Sequence, residues 1–454
     1  MNEQIIEEIV NLFKERKFPA LREKVAELNP ADVALIFEEV PKRDLPLLFR
    51  ILPKELAADA FVEMEPDMQL QLIEAFSDRE LQEVMDDMFM DDTVDIIEEM
   101  PANVVARILK SVDKETRDKI NIILNYPKDS AGSLMTIEYI DLKEDMTVSE
   151  ALSRIRTTGI DSETIYTCYV TSARRLVGII TVKDLLLSDD DVKISEIMET
   201  NIISVTTHTD KEEVAMQFAK YDLLALPVVD AENRLVGIVT IDDAVDVIQD
   251  ENTEDIEKMA AIVPTDKPYL KMKPIEIWKK RIPWLLILMI SATFTSMIIS
   301  SFEEKLSALV ILTSFIPMIM DTGGNSGGQA SVTIIRGMSL GEIEISDIAK
   351  VIWKEVRVAF LCGVVLAVCS FCKVLLVDRL LMENTDVSLL VSLVISLTLL
   401  VTILVAKVVG CTLPMLAKKI GFDPAVMASP FITTIVDALA LLVYFAFATI
   451  ILNI

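Results

Sequence analysis

The sequence predicts a multidomain protein with an all-α helical-repeat domain, an α/β domain pair, a connecting helix and an α-helical membrane domain. Three observations support this prediction. Nearly all of the formal net charge of −28 falls within residues 1–280 of the 454. Long apolar segments occur only after that point, and two different internal repeats occupy the acidic part. A water-soluble acidic half is therefore joined to a membrane half.

The first repeat occupies residues 29–125, where apolar residues recur at the spacing of amphipathic helices. Proline or aspartate begins most units, as is usual at helix starts. The units begin at Pro30, Pro53, Asp78 and Pro101, and their second helices begin near Lys42, Asp67, Asp91 and Lys114. We expect a stack of helical hairpins over residues 1–128, an architecture typical of interaction or sensing domains.

The acidic half argues against nucleic acid as a partner, because phosphate binding requires clustered Lys and Arg. In residues 54–100 the acidic side chains far outnumber the basic ones, which are only Lys54 and Arg79. Such self-repulsion favours bound cations, whereas a purely solubilising role is the simpler alternative.

The second repeat lies in residues 129–248. Residues 175–184, RLVGIITVKD, recur as residues 234–243, RLVGIVTIDD. Strand and helix patterns precede both copies, at residues 166–171 and 148–156 and again at residues 226–229 and 211–219. Because whole units match, this part resembles a tandem pair of CBS domains with boundaries at 129–190 and 191–248.

The CBS resemblance implies a site for ATP or another adenine nucleotide at a Gly-x-x-Thr-x-x-Asp turn. The matching residues are Thr181, Asp184, Thr240 and Asp243. Many CBS pairs bind no ligand, so a pair without nucleotide is an equal alternative.

Residues 243–262 predict an acidic helix that leads through a connecting segment, residues 249–277, to the membrane domain. Such a helix is well placed to transmit a signal from a sensor to a pore. A solvated linker helix is the alternative.

The membrane domain, residues 278–454, contains five apolar runs, which we predict to be spanning helices. They cover residues 282–302, 306–335, 358–377, 387–406 and 425–454. Lys and Arg, including Lys407, are concentrated in the loops on one side of these runs. The positive-inside rule then predicts a multi-pass protein of the cell membrane with a cytoplasmic N-terminal half and an external C-terminus.

Asp437 lies near the middle of the fifth run, where a carboxylate is costly unless it faces a polar interior. Ser429 and Thr433 precede it by eight and four residues and share its helix face. Pro430 would free the carbonyl of Val426 one turn away. These ligands are all oxygen atoms, which favours a hard cation.

Residues 322–329, TGGNSGGQ, interrupt the second run with four glycines. Two interpretations are open. Irregular backbone at membrane depth would line a cavity, whereas small residues would let helices pack closely.

The order of these domains, together with Pro317, residues 323–329 and the segment from Asp423 to Asp437, resembles the MgtE family of magnesium channels over essentially the whole chain. The resemblance implies a homodimer whose pore is lined by the second and fifth spans, with hydrated Mg²⁺ at Asp437, Ser429 and Thr433. Asp321 and Gly328 stand where the family motif often has Gly and Asn. The pore-associated positions are Pro317, Gly323, Gly324, Asn325, Gln329 and Pro430.

The same resemblance implies feedback, in which cytoplasmic Mg²⁺ bridges acidic surfaces and closes the pore. The predicted regulatory ligands are Asp91, Asp95, Asp246, Asp250, Glu254, Asp255 and Glu257.

Two alternatives belong to other classes of protein. One is a coupled transporter of another divalent cation, Co²⁺ or Mn²⁺, because a membrane carboxylate also serves proton coupling. The other is a membrane receptor or scaffold whose CBS pair senses a nucleotide. An enzyme is the least favoured class, since the sequence offers no nucleophile–base constellation.

Overall fold

The structure is a computed structural model that describes residues 3–265, 267–427 and 429–453; the side chains of Glu3, Glu304, Lys305, Ala308 and Ser429 lie outside this description. The chain divides into two compact units, Met1–Ile248 and Gln249–Ile454. Each unit has its own hydrophobic core.

The first unit begins with a stack of short helices. Their starts follow the predicted repeat, because a proline, serine or aspartate before or within the first turn satisfies or replaces free backbone N–H groups. Ser77, for example, accepts the N–H of Glu80 and caps one of them. The helices are α1 Glu3–Lys14, α2 Phe18–Val25, α3 Pro30–Glu39, α4 Leu45–Phe49, α5 Lys54–Val62, α6 Pro66–Ala75, α7 Asp78–Met85, α8 Met90–Glu99, α9 Ala102–Ser111 and α10 Lys114–Ile123.

Two α/β halves follow, as the second repeat predicts. Each contains a three-stranded sheet in which the first two strands are parallel and the last two antiparallel. The elements are α11 Ala131–Leu134, β1 Asp141–Lys143, α12 Val148–Thr158, β2 Thr167–Ser172, β3 Arg175–Thr181, α13 Val182–Leu187, α14 Ile194–Ile197, β4 Val205–Thr206, α15 Lys211–Tyr221, β5 Ala225–Val229, β6 Leu235–Thr240 and α16 Ile241–Met259.

The two halves exchange backbone hydrogen bonds symmetrically. The N–H of Thr136, before the first sheet, donates to the carbonyl of Ile238 in β6 over 2.8 Å. The N–H of Ile179 in β3 donates to the carbonyl of Glu199, before the second sheet, over 2.9 Å. A Cβ at Gly237 would lie 2.7 Å from the backbone carbonyl oxygen of Thr136, which cannot move aside without breaking this crossing, so only glycine fits here.

The second unit consists mainly of long helices, connected by short turns. A π-helical segment, Val374–Leu381, extends the third long helix. The helices are α17 Pro274–Ser301, α18 Glu303–Ala308, α19 Ile316–Ser339, α20 Ile348–Lys373, α21 Leu389–Lys419 and α22 Ser429–Leu452.

Four of the described helical segments are long and apolar enough to cross a membrane: Pro274–Ser301, Ile345–Leu381, Leu389–Lys419 and Pro424–Leu452. Helix α19 is outside this group, although it spans 24 residues. Its polar and glycine residues make it less hydrophobic than its neighbours, so the count of five spans stays a prediction.

Of the two interpretations of residues 322–329, the one with irregular backbone is wrong. Helix α19 continues through all four glycines of this segment. The glycines do not break the helix because they lie buried against other helices, and packing compensates their low helix propensity.

Two smaller expectations are also wrong. Lys407 lies inside α21 and not in a loop, because that helix extends well beyond the apolar run. Pro430 does not free a helical carbonyl at Val426, since Val426 belongs to a separate 3₁₀ turn, Pro424–Met427, and Pro430 lies in the first turn of α22.

Candidate ion pathway and acidic cluster

Asp437 lies on α22 within the second unit. Its Oδ1 atom is buried and has no hydrogen-bond partner among the described residues. A buried carboxylate oxygen without a partner is costly unless water or a cation satisfies it. Thr433, one turn earlier, places its methyl group against Gly324. The side chain of Ser429, the third predicted pore ligand, lies outside the described residues.

The glycines of α19 allow this helix to approach α21 and α22 closely. A Cβ at Gly323 would lie 2.7 Å from Thr402 on α21, and one at Gly324 would lie 2.7 Å from Thr433 on α22. The backbone of Gly327 lies directly against Gly410 of α21. The structure therefore favours the close-packing interpretation for these glycines.

The opposite face of α19 is polar. Asp321, Asn325 and Gln329 follow one another at intervals of four residues, and all three side chains are exposed. Pro317 lies in the first turn of the same helix. Of the predicted pore-associated positions, Asn325 and Gln329 thus line the free face, whereas Gly323 and Gly324 form the packed one.

A buried ion pair that the sequence analysis missed joins α20 to α21. The ammonium group of Lys407 lies 3.6 Å from Glu355, and both side chains are largely buried. Oε2 of Glu355 has no hydrogen-bond partner in the described part of the chain. The only sequence signal was a lysine directly after an apolar run, which resembles a loop residue.

The last turns of α16 contact the helices of the second unit. Ser339 donates a hydrogen bond of 3.0 Å to Asp255, and Arg336 donates one of 2.8 Å to Asn252. Lys258 forms ion pairs of 2.6 Å with both Glu254 and Asp423.

Three predicted regulatory ligands are thus engaged in the second unit. Asp255 and Glu254 make the contacts above, and Glu257 accepts the backbone N–H of Thr265 over 2.9 Å. Asp246 and Asp250 are exposed on α16.

An acidic cluster lies within the first unit, between α8 and the CBS pair. Met90, at the start of α8, donates its N–H to Glu138 over 2.9 Å, so the two regions are in contact. Three carboxylates of the acidic cluster lie on α8, and four lie in the CBS pair. The acidic cluster consists of Asp91, Asp92, Asp95, Glu138, Glu163, Asp242 and Asp243, which interact electrostatically.

Burial and mutual repulsion hold protons on the acidic cluster. Burial first, then the charges of Asp243 and its neighbours, raises the pKa of Asp92 to about 7 and the pKa of Asp91 well above its usual range. Burial and then Asp92 raise the pKa of Glu163 to about 8. The pKa of Asp243 is raised to about 6 by burial and by Asp242, against a hydrogen bond from Thr240. Asp95 lies at the exposed edge of the cluster.

The acidic cluster brings Asp91 and Asp95, two of the predicted regulatory ligands, together with four acids that the sequence did not single out: Asp92, Glu138, Glu163 and Asp242. Among the described residues, no three His, Cys, Asp or Glu side chains are placed to ligate a metal ion directly. A cation held through its own water molecules fits this spacing better than a dehydrated ion, and Mg²⁺ sheds water reluctantly. Oε2 of Glu163, buried without a hydrogen-bond partner among the described atoms, is one acceptor for such water.

The two predicted nucleotide turns differ in their surroundings. Thr181 and Asp184 form a reciprocal cap at the start of α13, and both are exposed. Thr240 is buried and donates to Asp243 over 2.9 Å, inside the acidic cluster. Repulsion from neighbouring carboxylates makes the second turn a poor place for phosphates, so Thr181 and Asp184 are the better candidates.

Family models match most of the chain. One described as a divalent cation transporter matches residues 316–447, and one described as the MgtE intracellular N domain matches residues 28–129. A CBS domain model matches residues 131–190 and 194–250.

Curated relatives match over the full length. The magnesium transporter MgtE of Thermus thermophilus is 34% identical over 459 residues, covering 100% of both chains. That of Bacillus subtilis is 32% identical over 452 residues, covering 98% of this chain and 97% of the relative.

Solved structures match the N-terminal half. A crystal structure of the cytosolic domain of the Mg²⁺ channel MgtE in complex with ATP is 35% identical, with a TM-score of 0.51, over 53% of this chain and 99% of the other. The soluble part of a magnesium transporter is 29% identical, with a TM-score of 0.52, over 55% of this chain and 98% of the other.

Proposed function

Since the chain belongs to the MgtE family of divalent cation transporters, we propose that it carries Mg²⁺ across the cell membrane and that its acidic cluster regulates this flow. The long apolar helices of the second unit provide the membrane domain. The observation that most directly supports an ion pathway is the buried carboxylate oxygen of Asp437 on α22, which has no hydrogen-bond partner among the described residues.

The donor set supports Mg²⁺ as the transported ion. Asp437, Thr433 and the exposed amides of Asn325 and Gln329 offer only oxygen acceptors and amide groups on α19 and α22. Hard cations prefer such ligands over softer ones. The protein's own residues would orient the water shell of the ion by accepting hydrogen bonds from it, and neutralise part of its charge.

A homodimer would complete this pathway. The exposed face formed by Asp321, Asn325 and Gln329 cannot face hydrocarbon at low cost. A second copy related by two-fold symmetry would cover the face with its own equivalent and leave a hydrated path between the two. The excess of Lys and Arg on one side supports a cytoplasmic N-terminal half and an external C-terminus.

Regulation would follow from competition between protons, water and Mg²⁺ at the acidic cluster. At neutral pH, without divalent cations, the carboxylates on α8 and the CBS pair repel one another, and several hold protons. Bound Mg²⁺ would replace these protons and draw the two surfaces together. A form of the channel that binds Mg²⁺ more tightly becomes more populated as cytoplasmic Mg²⁺ rises, and we assign the closed state to it.

An adenine nucleotide such as ATP would bind at the exposed turn of Thr181 and Asp184. The similarity to a cytosolic domain in complex with ATP supports this assignment. Titration of the full chain with ATP should show binding that Asp184→Asn weakens several-fold. Equal affinity in the variant would reject Asp184 as the contact.

Flux of Mg²⁺ into proteoliposomes tests the ion pathway. Asp437→Asn keeps the size of the side chain and removes its charge, so we expect at least a tenfold loss of flux. Thr434→Val is the matched control on the same helix. The hydroxyl of Thr434 donates a hydrogen bond of 3.1 Å to the backbone carbonyl of Pro430, so it is already satisfied within the helix. Unchanged flux in Asp437→Asn would reject the pathway, and faster flux of Co²⁺ than of Mg²⁺ would favour a different cargo.

A further inference from the structure

Asp321 belongs to the exposed polar face of α19, but the pathway assigned above gives its carboxylate no part in binding the ion. It lies on α19, five residues after the helix begins, with Asn325 and Gln329 on the same exposed face. The buried positions within residues 323–331 of the helix, by contrast, are glycine, serine and alanine. An exposed carboxylate beside apolar helices has a high cost in hydrocarbon, so its surroundings must be polar.

Helix packing places Asp321 at the level of Asp437. Three contacts show that α19 and α22 run antiparallel: Gly323 faces Val436, Gly327 faces Ile432, and Ser331 donates to the carbonyl of Met427 over 3.4 Å. Gly324 of α19 faces Thr433 of α22. Because the two helices are antiparallel, Asp321, one turn before Gly324, lies at the level of Asp437, one turn after Thr433. The two carboxylates are close enough to interact electrostatically.

Two like charges at one depth between facing helices repel each other unless a cation or water lies between them. Asp437 contributes a buried oxygen without a partner, and Asp321 contributes an exposed carboxylate on the neighbouring helix. Together they bring carboxylate acceptors from two helices to the same level. Such an arrangement favours a divalent over a monovalent cation, because the attraction grows with the charge of the ion.

We propose that Asp321 is a second ion-facing carboxylate that acts with Asp437 to set the affinity and the divalent selectivity of the pathway. This inference rests on the proposed function, since it assumes that Asp437 faces the ion. In a homodimer the pair becomes four carboxylates around the path.

The test measures Mg²⁺ flux in proteoliposomes together with the permeability ratio of Mg²⁺ to Na⁺ in planar bilayers. Asp321→Asn should raise the half-saturating Mg²⁺ concentration roughly tenfold and lower the Mg²⁺-to-Na⁺ ratio, whereas Asp321→Glu, which keeps the charge, should restore most of both. The matched control is Asp386→Asn, at an exposed site in the turn before α21. Asp321→Ser is a second neutral variant, and thermal unfolding of each variant checks the fold.

The outcomes distinguish the role of Asp321 from the ion pathway at Asp437. Neutral variants that keep the wild-type affinity and ion preference, while Asp437→Asn abolishes flux, would overturn the role of Asp321 and leave the pathway intact. Flux that is indifferent to both Asp437→Asn and Asp321→Asn would overturn the pathway itself. A loss that Asp321→Glu does not restore would assign Asp321 to structure and not to the ion.

Discussion

Carboxylates occur in two different arrangements in the two units of this protein. The acidic cluster of the first unit brings together seven carboxylates from one helix and the CBS pair, and raised pKa values keep several of them partly protonated near neutral pH. The second unit places two carboxylates on facing helices, Asp321 on an exposed polar face and Asp437 with a buried oxygen atom. In the proposed function, the number and spacing of the carboxylates, and not their chemical group, distinguish the regulatory surface from the ion pathway. A crowded cluster changes its charge easily, whereas an isolated pair offers one fixed place for a cation.

The buried ion pair of Lys407 and Glu355 is a third arrangement of charge in this protein. We expect its loss to have the largest effect on stability. Lys407→Met leaves Glu355 buried and unpaired, which costs about 3–5 kcal/mol in comparable pairs. We expect a much lower yield of folded protein and a lower midpoint of thermal unfolding in detergent.

Two variants control this prediction. The double variant Lys407→Met with Glu355→Gln should recover most of the lost stability, because neither charge is then left alone. Lys350→Met removes an exposed pair with Asp347 and should leave the midpoint of thermal unfolding nearly unchanged, because solvent screens the pair. A single Lys407→Met variant as stable as the wild type would show that the pair is not needed.

The protonated acidic cluster predicts an effect of pH on the first unit. The raised pKa values of Asp243, Asp92 and Glu163, about 6, 7 and 8, mean that the folded cluster binds protons more tightly than the unfolded chain. Its stability is therefore complete below about pH 4, where both states are protonated, and falls as pH rises through 6 to 8. Hydrogen-exchange protection of α8, corrected for intrinsic rates, should fall over this range without Mg²⁺ and recover when Mg²⁺ is added at pH 8.

A neutralised cluster supplies the control for that measurement. The double variant Asp92→Asn with Glu163→Gln should be less sensitive to pH and should gain less protection from Mg²⁺. Protection of α8 that ignores both pH and Mg²⁺ in the wild type would contradict the account of the cluster.

The contact of α16 with Asp423 should produce the smallest effect on stability. Lys258→Met removes ion pairs to Glu254 and Asp423 that are partly exposed, so the free energy of unfolding should change by about 1 kcal/mol or less. If this contact transmits the signal, the cytoplasmic Mg²⁺ concentration that halves the flux should nevertheless shift several-fold. Lys267→Met is the control, and an unchanged Mg²⁺ response in Lys258→Met would remove the contact from the signalling route.

The sequence predicted the elements well where periodicity is local. The helix starts near Pro30 and Asp78 and both copies of the CBS repeat were found, because turn residues and apolar spacing encode them directly. For the glycine segment of α19 the sequence left two interpretations open, a closely packed helix and a broken one. Both have the same composition. Only the neighbouring helices, with Thr402 and Thr433, decide between them.

The site was predicted less completely, for a different physical reason. Asp91 and Asp95 could be identified from helical spacing on one element. Glu163 and Asp242 could not, because they reach the acidic cluster from distant parts of the chain and each is an ordinary surface acid in its own segment. Likewise Lys407 and Glu355 are far apart in sequence, and nothing local marks them as partners.

One measurement tests the central claim that separate sets of carboxylates conduct and regulate. Mg²⁺ flux is recorded in oriented proteoliposomes while Mg²⁺ on the side of the N-terminal half is raised, for the wild type, Asp437→Asn and the double variant Asp92→Asn with Asp243→Asn. We expect flux that falls with Mg²⁺ in the wild type, flux at least tenfold lower at every concentration in Asp437→Asn, and flux that persists at high Mg²⁺ in the double variant. A double variant that closes at the wild-type concentration, or an Asp437→Asn variant that conducts normally, would contradict this claim.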